Sequence, residues 1–126
     1  MLGDMNAIAN IAVADLDVAR RFYQDKLGLR EEAGASCEGL IAYRSGNAKM
    51  LVYRSDFAGT NRATAMSWDV GDEIDTLVRE LAGRGVVFEH YEMPDMTLDG
   101  DVHFGEGMRV AWFKDPDGNI LSLACG

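Results

Sequence analysis

The chain reads as an α+β fold of tandem βαβββ repeats, giving two curved four-stranded mixed sheets with the helices outside. Three recurring strings predict it. Ala9-Asn10-Ile11-Ala12-Val13, Asp15-Leu16-Asp17 and Leu27-Gly28-Leu29 return as Met66-Ser67-Trp68-Asp69-Val70, Asp72-Glu73-Ile74-Asp75 and Arg84-Gly85-Val86. The offset is 57 throughout: position 15 falls on 72, and 28 on 85. Each copy runs strand, acidic helix cap, helix, glycine stop, strand, and a repeated half implies a pseudo-symmetric fold with a site between its halves.

In the first half, at about 5–56, Ala7–Val13 is a short apolar strand. Asp15 is placed to cap a helix to about Lys26, with Leu16, Ala19, Phe22, Tyr23 and Leu27 at helical spacing, and Gly28 ends it. Strands are expected at Leu29–Glu32, Gly39–Arg44 and Lys49–Arg54, the last two joined by the turn Ser45-Gly46-Asn47. The polar stretch Phe57–Arg62 reads as the linker.

The second half, at about 63–125, repeats the plan. Thr64–Val70 is a strand; Asp72 caps a helix to Arg84 with Ile74, Leu77, Val78 and Leu81 on one face; Gly85 ends it. Val86–Tyr91 is the next strand, with His90 a partly exposed strand residue. Met93–Gly107 has Pro94, three glycines, four acids and no periodicity, so it reads as a loop, and a loop that long is functional or mobile. Met108–Phe113 and Asn119–Leu123 close the half through Asp115-Pro116-Asp117-Gly118-Asn119, where proline sets φ, glycine supplies a positive φ, and Asp and Asn bond their own backbone.

Alternation assigns faces. Ile11 and Val13, with their counterparts Trp68 and Val70, should pack under the helices. Ile8, Asn10 and Ala12, with Ala65, Ser67 and Asp69, should line the concave interior. Tyr43 and Trp112 stand at matching strand ends.

At 126 residues and 48% hydrophobic content, the chain is expected to form one domain with a real core. A net charge of −9 argues against nucleic acid and an anionic membrane surface. No apolar run reaches the roughly 20 residues of a membrane helix, and Met1-Leu2-Gly3-Asp4 lacks a basic, then apolar, leader, so a cytoplasmic protein is expected. Cys37 and Cys125 read as reduced thiols. Phosphate-loop and Gly-x-Ser-x-Gly patterns are absent from the sequence.

Val13-Ala14-Asp15-Leu16-Asp17, Phe22-Tyr23-Gln24-Asp25-Lys26-Leu27-Gly28-Leu29, Val70-Gly71-Asp72-Glu73-Ile74-Asp75, Gly85-Val86-Val87-Phe88-Glu89 and Asp115-Pro116-Asp117-Gly118-Asn119 make the chain resemble the vicinal oxygen chelate superfamily. That superfamily includes glyoxalase I, extradiol dioxygenases and bleomycin-resistance proteins. The resemblance implies the fold, a homodimer, and in the family's enzymes one divalent metal held by His and Glu. The positions it assigns to those ligands are Ile8, Ala65, Ser122 and either Leu51 or Val52, none of which offers imidazole or carboxylate. No metal and no other cofactor is therefore expected. His103 lies near Asp99, Asp101 and Glu106, but at irregular spacing, and reads as solvated loop chemistry.

Asn10, Ser67, Trp112 and Ser122 are the candidate ligand contacts. Asn10 and Ser67 are offset mates, Ser122 takes the place the resemblance gives to an inward Glu, and Trp112 could stack on a flat ligand. The Met93–Gly107 segment, with Phe104 and its methionines, is expected to cover the cavity mouth. The favoured reading is metal-independent binding of a small organic molecule, neutral or cationic. The alternatives are an enzyme, glyoxalase- or dioxygenase-like with a divalent metal on atypical ligands or metal-free with acid–base work by Asp69 or His90, and a scaffold subunit.

Overall fold

Apolar alternation and glycine punctuation place the elements largely as expected. A computed structural model describes residues 1–125 and shows two compact units, Met1–Thr60 and a second beginning at Asn61.

In the first unit, β1 (Ala9–Val13), β2 (Arg30–Glu31), β3 (Leu40–Ser45) and β4 (Ala48–Arg54) form a mixed sheet in the order β1-β4-β3-β2. β1 runs parallel to β4, and the other pairs are antiparallel. Ile11, Val13, Ile41, Tyr43, Met50 and Val52 are buried. The helix α1 (Leu16–Arg20) starts where expected, because the Asp15 carboxylate accepts from the N–H groups of Asp17 at 2.8 Å and Val18 at 3.2 Å. It continues as wider π-type turns over Arg21–Lys26, where Phe22 and Tyr23 are both buried, their rings edge-on at 5.1 Å.

The second unit holds β5 (Thr64–Asp69), β6 (Phe88–Glu89), β7 (Thr97–Asp99), β8 (Val102–Gly105), β9 (Met108–Lys114) and β10 (Ile120–Cys125). The order is β5-β10-β9-β8-β7, with β6 also paired to β9. The helix α2 (Ile74–Gly83) packs on β9 and β10 through buried Ile74 and Val78, and Asp75 accepts from Arg109 at 2.6 Å. On that face Phe113, fully buried, stacks with Trp68 at 6.3 Å and meets Phe88 edge-on at 5.6 Å.

Four expectations change. The second sheet has six strands, because Met93–Gly107 is not a loop. Thr97–Asp99 and Val102–Gly105 pair as a hairpin around Gly100-Asp101, and β8 joins β9 through Glu106-Gly107. Glu106 and Gly107 both take positive φ, 52° and 77°, the signature of a tight turn matched to strand twist. Gly105 is required by space: a Cβ there would overlap the Asp95 carbonyl. Second, Asp72 does not cap α2. It lies in a 3-10 turn, Gly71–Glu73, and the helix begins after Glu73 with no side-chain cap. Third, β6 ends at Glu89, so His90 lies beyond the strand. Fourth, Tyr43 and Trp112 do not match. Trp112 pairs with Ser122, while the corresponding partner of Leu51 is Ala42; Tyr43 corresponds instead to Phe113, and both are fully buried.

The Asp115–Asn119 turn forms as read. Asp115 Oδ1 accepts from the N–H groups of Asp117 at 2.9 Å and Asn119 at 2.8 Å, and Oδ2 accepts from the Asn119 amide at 2.7 Å. Among the described residues, no helix is long and apolar enough to cross a membrane.

Candidate functional site

Strand register sets which side chains share a face. On β5, β10 and β9, Ser67 pairs with Ser122 and Ser122 with Trp112, so the three form one row across the sheet. Because Arg109, Ala111 and Phe113 turn toward α2, the alternate residues Val110 and Trp112 occupy the opposite face. His103 pairs with Val110 and joins them there.

The row is hydrogen-bonded. The hydroxyls of Ser67 and Ser122 lie 2.6 Å apart, Ser67 exposed and Ser122 only 3% exposed. Trp112 is half-buried, and its indole Nε1–H donates to the Thr64 hydroxyl at 3.2 Å. A β-bulge opposite Ile120 and Leu121 interrupts β5 between Thr64 and Met66.

Next to Trp112 stands an aromatic group that the sequence reading did not assemble. The outer edge of β9 is shared: β8 covers Met108–Val110, and β6 covers Trp112 and Phe113. The His103 ring sits edge-on to Trp112 at 5.0 Å, while Tyr91 stacks over His103 at 6.2 Å and meets Trp112 at 5.5 Å. His103 is therefore a buried strand residue, 1% exposed, and not part of a solvated loop. Its Nε2 accepts from the Tyr91 backbone N–H at 2.9 Å, and its Nδ1 is buried with no hydrogen-bond partner among the described residues. One available signal was the pair of two-residue turns, Gly100-Asp101 and Glu106-Gly107, spaced for strands containing Val102–Gly105. His90 lies nearby with its Nε2 2.7 Å from an Asp101 carboxylate oxygen, both groups exposed.

Asn10 lies in the first unit, exposed on β1, where it pairs in register with Leu51; its side-chain amide donates to the Ile8 carbonyl at 3.2 Å. Since Ser67 pairs with Ser122 in the same relation, Leu51 rather than Val52 is the counterpart of Ser122. The positions assigned to metal ligands are thus Ile8 and Leu51 in one unit, and Ala65 and Ser122 in the other. Three are aliphatic, and the Ser122 hydroxyl is engaged with Ser67. This donor set does not fit a divalent cation.

Shifted titrations lie elsewhere. The Arg20 guanidinium, bonded to Glu31, holds that carboxyl below its usual range; Arg44 and then Lys49 do the same to Glu32, and Arg109 to Asp75. Burial pushes the Tyr43 phenol up. Open clefts among the described residues include two that each lie within a single unit. One of about 680 Å³ is lined by Asn6, Ile8, Glu32, Arg44 and Lys49, and one of about 490 Å³ by Val102, Phe104, Glu106 and Met108. Neither of these two is lined by Ser67, Trp112 or Ser122.

Residues 5–123 match the family model for the Glyoxalase/Bleomycin resistance protein/Dioxygenase superfamily. Among solved structures, the chain is similar to the fosfomycin resistance protein FosX of Listeria monocytogenes complexed with Mn(II) and sulfate. The TM-score is 0.71 at 17% identity, over 100% of this chain and 92% of that one. FosX of Mesorhizobium loti gives 0.70 at 14%, over 100% and 94%. A glyoxalase/bleomycin resistance protein/dioxygenase of Alicyclobacillus acidocaldarius gives 0.71 at 20%, over 97% and 91%. No curated protein sequence matches. Identities this low establish the fold alone, while the family match spans nearly the whole chain: the protein belongs to the glyoxalase/bleomycin resistance protein/dioxygenase superfamily.

Proposed function

We propose that the protein binds a small, flat organic molecule without a metal, on the face of the second sheet turned away from α2. Ser67 and Ser122 supply hydroxyls and Trp112 an aromatic surface. The observation that carries this reading is the Ser67–Ser122 pair at 2.6 Å beside a half-buried Trp112, with Ser122 at a position that the family resemblance gives to a metal ligand. A site built from a few fixed polar groups and an aromatic plane suits an organic ligand. Asn10 is the counterpart of Ser67 in the first unit and enters the reading by that correspondence only. The charge of −9 favours neutral or cationic ligands over anions. A homodimer in the cytoplasm is the proposed assembly and setting, and light scattering at assay concentration tests the dimer.

The principal test is a fluorescence titration with planar aromatic compounds. A ligand that perturbs Trp112 should bind Trp112→Ala more weakly by about 1–3 kcal/mol. Unchanged affinity in that variant, with circular dichroism intact, removes the site. Stoichiometric zinc, nickel, manganese or iron in purified untagged protein, lost on mutating Ser122, would overturn the metal-free reading.

A further inference from the structure

A neutral imidazole carries one N–H. The Tyr91 backbone N–H can only donate, so the His103 Nε2 it meets at 2.9 Å must present its lone pair. The ring proton is then on Nδ1. That Nδ1–H is a fixed donor, buried and without a partner among the described residues, on a residue only 1% exposed. Leaving such a donor unmatched in the interior is costly, so the site calls for an acceptor. The surroundings point to its kind. The walls are aromatic, Trp112 at 5.0 Å and Tyr91 at 6.2 Å. Tyr91 lies outside any strand and is 36% exposed, so its ring is the wall that borders solvent.

We infer that His103 is a specificity-determining residue of the site proposed above: its Nδ1–H donates to an acceptor oxygen on a neutral planar ligand, an aromatic amide or ketone, seated against Trp112. The inference rests on the Trp112 site. It adds what that site selects, an uncharged acceptor. An imidazole locked as acceptor toward Tyr91 gives a donor without a formal charge, which suits a carbonyl oxygen better than a cation.

Benzamide and benzamidine test this, since they share size and shape but only benzamide carries an acceptor oxygen. In ¹⁵N-labelled protein, His103 should show the Nδ1–H tautomer, and benzamide should shift that resonance while changing Trp112 fluorescence. In His103→Gln, the Gln carbonyl can still accept from Tyr91 while the donor at the δ position is gone. The benzamide-to-benzamidine affinity ratio should fall about tenfold in this variant, and reading the ratio cancels the general attraction of a cation to an acidic protein. Retained hydrogen-exchange protection of the Tyr91 amide shows that the variant keeps the local fold; if it does not fold, the wild-type ¹⁵N spectrum decides alone. Binding seen at Trp112 with Nδ1 unmoved, including an Nδ1–H that stays on a bound water, overturns the role of His103 and leaves the Trp112 site standing. Absence of any benzamide effect on Trp112 fluorescence removes both.

Discussion

The two units share their helix-side chemistry and differ on the opposite face. Toward the helices, Tyr43 corresponds to Phe113, Met50 to Leu121 and Ile11 to Trp68, with only Trp68 less than fully enclosed. On the other face the first unit aligns Asn10, Leu51 and Ala42, and the second aligns Ser67, Ser122 and Trp112. The second unit also inserts the β7–β8 hairpin, where the first has only the stretch from Glu32 to Gly39. A face that must pack a helix tolerates little besides apolar volume, because interiors are close-packed. A face freed from that duty can vary, and here the variation gathers chemistry in the second unit.

The sharpest challenge to shared helix-side packing is truncation of a fully buried side chain in each unit. Phe113→Ala should cost about 3–5 kcal/mol and Ile41→Ala about 2–5 kcal/mol in urea denaturation. A loss under ~1 kcal/mol in either would mean that face is not the packed one.

The hairpin insertion is probed next. Gly105→Ala sets a Cβ against the Asp95 carbonyl and should destabilise by about 1–3 kcal/mol. Hydrogen exchange should accelerate first in residues 96–105, while β1–β4 keep their protection. Uniform loss across both units would argue against a local insertion.

The two helix starts differ more finely. Asp15→Ala removes two N-terminal hydrogen bonds and should cost about 0.5–2 kcal/mol. Asp72→Ala removes none at the cap and should stay within about 0.5 kcal/mol. Equal losses would restore the symmetry of the caps.

Acid should act in the same sense on both units, and weakly. Glu31 and Glu32 in the first, and Asp75 in the second, have carboxyls held below their ordinary range by Arg20, Arg44 and Arg109. A lowered folded value means each pair contributes above the unfolded value, near about 4, and loses that contribution as pH falls through the folded one. Urea midpoints should drop below about pH 4, and less steeply in about 1 M salt because the pairs are exposed. Midpoints that rise on acidification would reverse the sign.

How legible each part was depends on the range of its determinants. The Asp15 cap and the Asp115–Asn119 turn are local, since their partners lie within five residues, and each forms as read. The hairpin was legible only in part. Its two-residue turns are local signals, but Leu98 and Phe104 remain exposed and supply no alternation for a buried face. Asp72 resembled Asp15 in sequence, yet a 3-10 turn shifted the helix start by one residue. Ser67, Ser122 and Trp112 were named separately as contacts, and strand register brings them into one row.

By itself the sequence determined the repeat and the helix-side faces, because residue type and short-range periodicity are enough for each. Only the tertiary structure decided the surroundings of His103. Tyr91, His103 and Trp112 come from the segment just after β6, from β8 and from β9, and they meet because β9 divides its outer edge between two strands. Such a junction depends on the long-range pairing of β6 with β9, Phe88 with Phe113 and Glu89 with Trp112, and no local pattern encodes which imidazole nitrogen faces a backbone N–H.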